Sequence, residues 1–433
     1  MSSSPLDWSE RAHRAIPGGC HTYAKGDDQY PLGAPFVVKA KGARVWDTEG
    51  KEYVEYGMGL RAVTLGHAID EVNDAACAAA RNGLNSNRPS TIEVEAAEEL
   101  LALVPRADMA KFAKDGSTVL TAAITLARAH TGRVKVAICG DHPFFSYNDW
   151  FMITTGIPGG IPEERKSETV KFRYNDLASA EQMFADNPGE ISCVLLEAAR
   201  TDEPKPGYLQ GLRDLAHRNG ALFIIDEMVT GFRWNLRGAQ EEYDIEPDLS
   251  TFGKALGNGY PISALVGKRE IMELGGMFHD RERVWVLSTT HGAESTSIAA
   301  ARKVMEIYQR DDVIGTLYRQ GDRLRNGIGA TVAELGLEQH FTMDGRSCSI
   351  IYGTRDPDGK PSQPYRTLFL QETLARGVLA PNFIMSAAHT DADIDHTIEA
   401  VSGALGVYRK ALDEGYEKYL HGRSIQPVYR RFN

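Results

Sequence analysis

Cysteine is scarce in this 433-residue chain. There are five (Cys20, Cys77, Cys139, Cys193 and Cys348), scattered singly and with no C-x-x-C pair. An odd, dispersed set argues against a disulfide framework and suits a reducing cytoplasm. Positive charge is in deficit as well: 48 Lys and Arg face 59 Asp and Glu, for a net charge of -11. With neither a basic balance nor basic runs, nucleic acid and anionic membranes are disfavoured as partners, and the acidity reads as a solubility feature. No apolar run approaches the roughly 18–20 residues of a membrane span. Met1–Glu10 lacks the apolar centre of a signal peptide. Repeats and low-complexity tracts are absent. So are H-x-x-x-H spacing, clustered Cys/His, G-x-S-x-G and the P-loop, which removes the usual sequence signs of a metal centre, a hydrolase elbow or a nucleotide cradle.

What remains is ordinary globular composition, 42% apolar and 25% charged, in a chain long enough for two domains. Its N-terminal part reads as helix, loop and a β-hairpin within Ala40–Tyr56, turning at Thr48-Glu49-Gly50. From about residue 67, helical spacing (Ile92–Leu103, Thr121–His130) alternates with short apolar runs at Val134–Ile138, Ile191–Leu196, Ala221–Ile225 and Ile262–Gly267. Runs buried on both faces with helices between them predict an α/β domain on a mainly parallel sheet, its ligand outside the carboxyl ends of the strands. After residue 312 come helices at Val313–Glu334, Tyr365–Arg376 and Asp391–Leu412, a strand at Met343–Tyr352 and a loosely docked tail from Gly415. The expected division is 1–64, 65–311 and 312–433.

The chemistry is carried by two run ends. Ala221–Ile225 delivers Asp226 and Glu227, and Leu249–Phe252 delivers Gly253 and then Lys254, 28 residues after Asp226. A lysine is ordinarily a solvated surface group. This one has Phe252, Gly253 and Ala255 about it, which predicts burial and close approach of a ligand. An acid and a lysine at neighbouring strand ends suit pyridoxal phosphate (PLP), the lysine holding the aldehyde as a Schiff base and the acid keeping the pyridine nitrogen protonated. Spacing alone does not choose between Asp226 and Glu227.

Other candidates have plainer alternatives. Gly116-Ser117-Thr118 precedes a helix and is either an anion cradle or an N-cap through Ser117 or Thr118. Phe144 and Phe145 follow a strand end and either stack on a ring or join the core. Ser288-Thr289-Thr290 follows the run Val284–Leu287, read as a strand, and binds phosphate or satisfies a turn. His291 reads as a structural histidine.

In order along the chain stand Trp46-Asp47-x-x-Gly50, Leu65-Gly66-His67, Leu126-Ala127-Arg128, Thr131-Gly132-Arg133, Asp226-Glu227, Gly231-Phe232-Arg233, Pro247-Asp248 and Gly253-Lys254. Together they resemble the class-III aminotransferases of PLP fold type I, most of all the glutamate-1-semialdehyde 2,1-aminomutase subgroup, over most of the chain. That resemblance implies a large domain on a mainly parallel seven-stranded sheet and a small α+β domain from both chain ends. It implies Lys254 as Schiff-base lysine and proton shuttle, and Asp226 as partner of the ring nitrogen. Met228 would lie beneath the ring, Phe144 on its other face, and Gly116 and Ser117 at the phosphate. Thr290 would reach the phosphate of a neighbouring subunit, so a homodimer with shared sites is implied.

The departures bear on substrate. The phosphate loop reads Lys114-Asp115-Gly116-Ser117, and a carboxylate there is repulsive unless it turns away or pairs with Lys114. The mutase's arginine and tryptophan fall on Lys25 and Leu60, a segment is deleted near Phe383, and Arg61 is a new cation. Lys25, Leu60, Arg61 and Tyr147 are therefore the candidate substrate residues, for a small amine or carbonyl compound other than the mutase's own. The expected activity is transamination between an amino donor and a keto or aldehyde acceptor. An intramolecular aminomutase is the alternative, then a racemase or epimerase, then a non-catalytic binding module.

Overall fold

A computed structural model describes residues 5–31 and 34–431. The chain forms two compact units, one spanning Asp70–Ile314 and the other built from the two chain ends, up to Ile69 and from Gly315 onward.

The Asp70–Ile314 unit is organised on seven strands: β1 (Met109–Ala113), β2 (Lys135–Cys139), β3 (Thr169–Phe172), β4 (Ile191–Leu196), β5 (Leu222–Asp226), β6 (Leu249–Phe252) and β7 (Ser263–Gly267). Their order across the sheet is β1-β7-β6-β5-β4-β2-β3. β6, β5, β4, β2 and β3 pair in parallel. β7 runs antiparallel to both neighbours, so the sheet is mainly but not wholly parallel. Alternation along β5 divides the core. Ile224 packs with the layer that includes helix α1 (Gly116–Thr131), while Phe223 and Ile225 pack with the helices Leu177–Asp186 and Tyr208–Arg218. Every residue of β4 and β5 is buried, which explains why they read as unbroken apolar runs rather than alternating ones.

The unit made from the chain ends carries two small sheets. The expected hairpin is present, Arg44–Asp47 against Glu52–Glu55. Val37–Lys41 and the short parallel strand Val378–Leu379 complete a four-stranded sheet. The single strand expected at Met343–Tyr352 is two antiparallel strands, Phe341–Asp344 and Ser349–Thr354, because Gly345 turns the chain at φ +77°. The tail is more firmly held than its polarity suggests. Ile425 is buried and donates its N–H to Thr367 Oγ1 at 2.9 Å, and Arg430 pairs with Asp28 at 2.7 Å. Among the described residues, no helix is long and apolar enough to cross a membrane.

Candidate active site

Asp226 is the last residue of β5, and the neighbouring strand β6 ends two residues before Lys254. Asp226 lies opposite Thr251 in the parallel register. The acid is 2% exposed; its Oδ1 accepts from the Met228 backbone N–H at 2.9 Å and from Thr251 Oγ1 at 3.1 Å. Burial first, then the charge of Glu197, pushes its carboxyl up to about 7, while the Lys254 cation acts in the opposite sense. Lys254 itself is only half-buried, although Gly253 and Ala255 beside it are buried as expected. Its φ of +44° is a left-handed conformation that a lysine rarely adopts, and such strain concentrates where the surrounding fold dictates a side chain's direction.

Glu227 has another task. Its carboxylate accepts from the backbone N–H groups of Ala239 at 2.8 Å and Gln240 at 2.9 Å, and from the Thr230 hydroxyl. It is fully buried and committed to the loop that follows β5. Of the two adjacent acids, Glu227 is thus the one engaged by the loop after β5.

Met228 joins this pair to the start of α1. A Cβ on Gly253 would stand 2.6 Å from Met228 Sδ, and one on Gly116 would stand 3.0 Å from the same sulfur. The glycines permit the close approach, and a side chain at Gly253 would displace the thioether. The helix is capped by neither Ser117 nor Thr118, as the sequence suggested, but by Asp115, whose Oδ1 accepts from the Thr118 N–H at 2.9 Å and whose Oδ2 accepts from the Thr118 hydroxyl at 2.8 Å. Asp115 does not pair with Lys114, which bonds Glu294 at 3.0 Å. Helix geometry points the N–H groups of Gly116 and Ser117 out of the positive end of α1.

The aromatic loop is tied to the same helix. Tyr147 N–H donates to Ser117 Oγ at 3.2 Å, and Asn148 Nδ2 and Trp150 Nε1 donate to Thr121 Oγ1 at 2.8 and 3.1 Å. Phe145 is in the core, whereas Phe144 is 44% and Tyr147 63% exposed. Phe144 rests edge-on against Phe151 with ring centroids 5.7 Å apart. Asp226, Met228, Lys254, Gly116, Ser117 and Tyr147 are thus linked on the Asp70–Ile314 unit, and Phe144 stands on the same loop as Tyr147. Thr290 is exposed on this unit, its carbonyl held by Asn85 Nδ2 at 2.9 Å. The run before it, Val284–Leu287, is not a strand: Val286 and Leu287 are buried, but Trp285 is 77% exposed.

Lys25 and Leu60 lie in the other unit, where both line a cavity of about 390 Å³ together with Tyr30, Glu55 and His67. Arg61 is not among its lining residues. The backbone from Met58 to Arg61 is left-handed throughout, with φ of +42° to +70°. Glu55 holds it by accepting the Met58 N–H at 2.8 and 2.9 Å, and His67 bonds the same carboxylate at 3.1 Å.

A family model for class-III aminotransferases matches residues 22–143 and 155–341. The chain belongs to the class-III aminotransferases. This class-III aminotransferase is 31% identical to the 3-aminobutyryl-CoA aminotransferase of Cloacimonas acidaminovorans, over 93% of this chain and 97% of that one. It is 32% identical to a glutamate-1-semialdehyde 2,1-aminomutase of Desulfitobacterium hafniense, over 91% and 96%. Among solved structures it resembles the PLP internal aldimine form of the Sphingopyxis FumI protein (TM-score 0.86, 28% identity, 94% and 97% covered). It shares its fold with a glutamate-1-semialdehyde aminomutase of Pseudomonas aeruginosa (TM-score 0.80, 20% identity, 93% and 94% covered). Transferases and mutases thus both stand among the relatives of this class-III aminotransferase.

Sequence reasoning passed over Thr251, Glu197 and His142. Thr251 and His142 carry no distinguishing signal. Glu197 does, since it is an acid delivered at the end of an apolar run, the same pattern that singled out Asp226.

Proposed function

We propose that this class-III aminotransferase is a PLP-dependent transaminase that moves an amino group between a small amine and a keto or aldehyde acceptor. The observation that carries the reading is a buried carboxylate, Asp226, standing one strand from a half-buried lysine, Lys254, above a thioether clasped by two glycines. The residues fit the cofactor. A carboxyl pushed up by burial gains from a cationic ring nitrogen brought beside it, and Gly116 and Gly253 let the Met228 thioether lie close between the start of α1 and the end of β6, as a floor for a planar ring. When bound, PLP supplies an electron sink for the charge left on carbon as a proton departs.

The chain's own residues divide the remaining work. Asp226 would hold the ring nitrogen and its proton through a charge-assisted hydrogen bond. Lys254 would hold the aldehyde and, once released as a free amine, take the proton from the substrate's Cα and return it elsewhere. Gly116 and Ser117 would receive the phosphate at the start of α1, and Phe144 would cover the ring face away from Met228. Borohydride treatment of the purified protein tests the reading: the peptide carrying Lys254 should gain the mass of the reduced cofactor and the visible absorbance should shift. Failure to bind PLP, or labelling at another lysine alone, would refute it.

The second reading, an intramolecular aminomutase, is favoured by the relatives that carry that name. A mutase needs no external amino donor and releases no keto acid, which separates it from a transaminase. Lys25, Leu60, Arg61 and Tyr147 remain the candidates for substrate choice. The cavity around Lys25 and Leu60 has a largely apolar wall, and Lys25, Asp27, Tyr30, Glu55 and His67 are among its polar groups.

A homodimer with shared sites completes the proposal. Its support is the exposure of Met277, Phe278 and Trp285, at 71%, 88% and 77%, in the stretch that leads to Thr290. Trp285→Glu is expected to shift the protein toward monomer in analytical ultracentrifugation and to weaken PLP retention about tenfold or more, as a charge in a buried contact costs over 1 kcal/mol. An unchanged sedimentation coefficient would remove Trp285 from the contact. The free thiols, three of them buried, suit a cytoplasmic location.

A further inference from the structure

β4 and β5 lie side by side in parallel, with Leu196 opposite Ile225. The next residues, Glu197 and Asp226, therefore leave adjacent strands at the same end of the sheet. Both are buried, 5% and 2% exposed. Two carboxylates placed in this way disfavour each other's ionisation unless a cation intervenes. Arg200 supplies one, its Nε standing 3.0 Å from Glu197 Oε2. On the other side, the Glu197 backbone N–H donates to His142 Nδ1 at 3.2 Å, and the His142 ring packs between Phe145 and Tyr174. An accepting Nδ1 places the imidazole proton on Nε2. Burial and then the Arg200 charge push this histidine down to about 3, so it is neutral at working pH. The charged groups acting on Asp226 are thus Glu197 from β4 and Lys254 from beyond β6, with Arg200 behind Glu197 and His142 contributing no charge.

We propose that Arg200 is a positioning residue for the reaction: by pairing with Glu197 it screens that carboxylate from Asp226 and so keeps Asp226 ionised for the cofactor's ring nitrogen. Arg200 acts through Glu197 and need not touch the cofactor. Removing its cation leaves two neighbouring carboxylates to compete for one proton. The inference rests on the PLP reading above and adds the device that holds the acid in its working charge state.

The test uses PLP-loaded wild type, Arg200→Gln, Arg200→Lys and the double variant Glu197→Gln/Arg200→Gln. Two quantities are followed against pH: kcat, and the visible absorbance of the bound cofactor. In Arg200→Gln the acidic limb of the kcat profile should move up by about one unit, which near neutrality is about a tenfold loss of kcat with KM little changed. The absorbance titration should move with it. Arg200→Lys should restore most of the loss. The double variant, lacking both the cation and the charge it screens, should return to within about threefold of wild type. A merely structural arginine would leave both pH profiles in place and make the double variant no better than the single one, and either result overturns the proposal. If Arg200→Gln does not fold, the lysine and double variants carry the same comparison. A wild type that takes up no PLP would instead refute the cofactor reading, and this inference with it.

Discussion

Lys254→Ala protein is expected to fold, to take up PLP without the wild-type visible band, and to lose turnover by about 10²–10⁴-fold, the range a positioned acid–base group contributes. The fold should survive because Lys254 is half-buried at the tip of β6 and the packing around it is made by Phe252, Ala255 and Leu256, all fully buried. The conformation at φ +44° is no harder for alanine than for lysine. What is lost is the only amine assigned to carry the substrate's proton. Added methylamine should therefore recover part of the rate in proportion to its concentration, which a protein impaired by misfolding would not do. Steady-state kinetics with and without the amine, alongside a melting curve, decide the matter; near-normal turnover without amine would sink the assignment.

Asp226→Asn is expected to separate stability from activity. The folded-state carboxyl is raised, by burial first and by Glu197 next, with Lys254 opposing. A group raised in this way contributes stability that is fully present below its unfolded value near 4 and is lost as pH climbs through about 7. Cofactor-free wild type should therefore weaken across that window, and the asparagine variant should escape this part of the loss. At pH 8 the cofactor-free variant should be the more stable by roughly 2–4 kcal/mol, and near pH 4 the two should melt together. Comparing the variants cancels the other carboxylates that titrate in the same range. With PLP bound the advantage should shrink or reverse, because the neutral amide cannot pair with a cationic ring nitrogen. Turnover should fall by about 10²–10³-fold, as when one preorganised electrostatic partner is removed. Calorimetry at pH 4 and pH 8, with and without PLP, reads both halves. An Asn variant less stable than wild type at pH 8 without cofactor would contradict the burial argument.

The sequence was most legible where burial on both faces left no room for polar residues. β4 and β5 were read within a residue of their bounds for that reason, and the acid at the end of β5 stood out against its apolar run. Edge strands were not legible. β1 and β3 each carry a lysine, Lys111 and Lys171, in strands of five and four residues, too short and too mixed for a periodicity to show. The opposite error occurred at Val284–Leu287. Four apolar residues in a row resemble a strand, but a strand needs a partner strand, and Val284 instead donates its N–H to the Leu274 carbonyl at 2.8 Å, outside the seven-stranded ladder. The resemblance puts Asp226 ahead of Glu227, but residue spacing does not, since only the positions of Thr230, Ala239 and Gln240 reveal that Glu227 is engaged by the following loop. The α1 cap was misassigned because Ser117 and Thr118 are both good capping residues, and only the geometry shows Asp115 one step ahead of them.

That cap has a physiological corollary. With Asp115 already seated at the positive end of α1, the phosphate that the proposed site would receive there would meet a pole partly neutralised by a resident carboxylate. Occupancy would then follow mass action rather than near-permanent retention. The amount of active enzyme in a cell would track its free pyridoxal phosphate, and protein purified without added cofactor would emerge partly colourless and be restored by simple incubation.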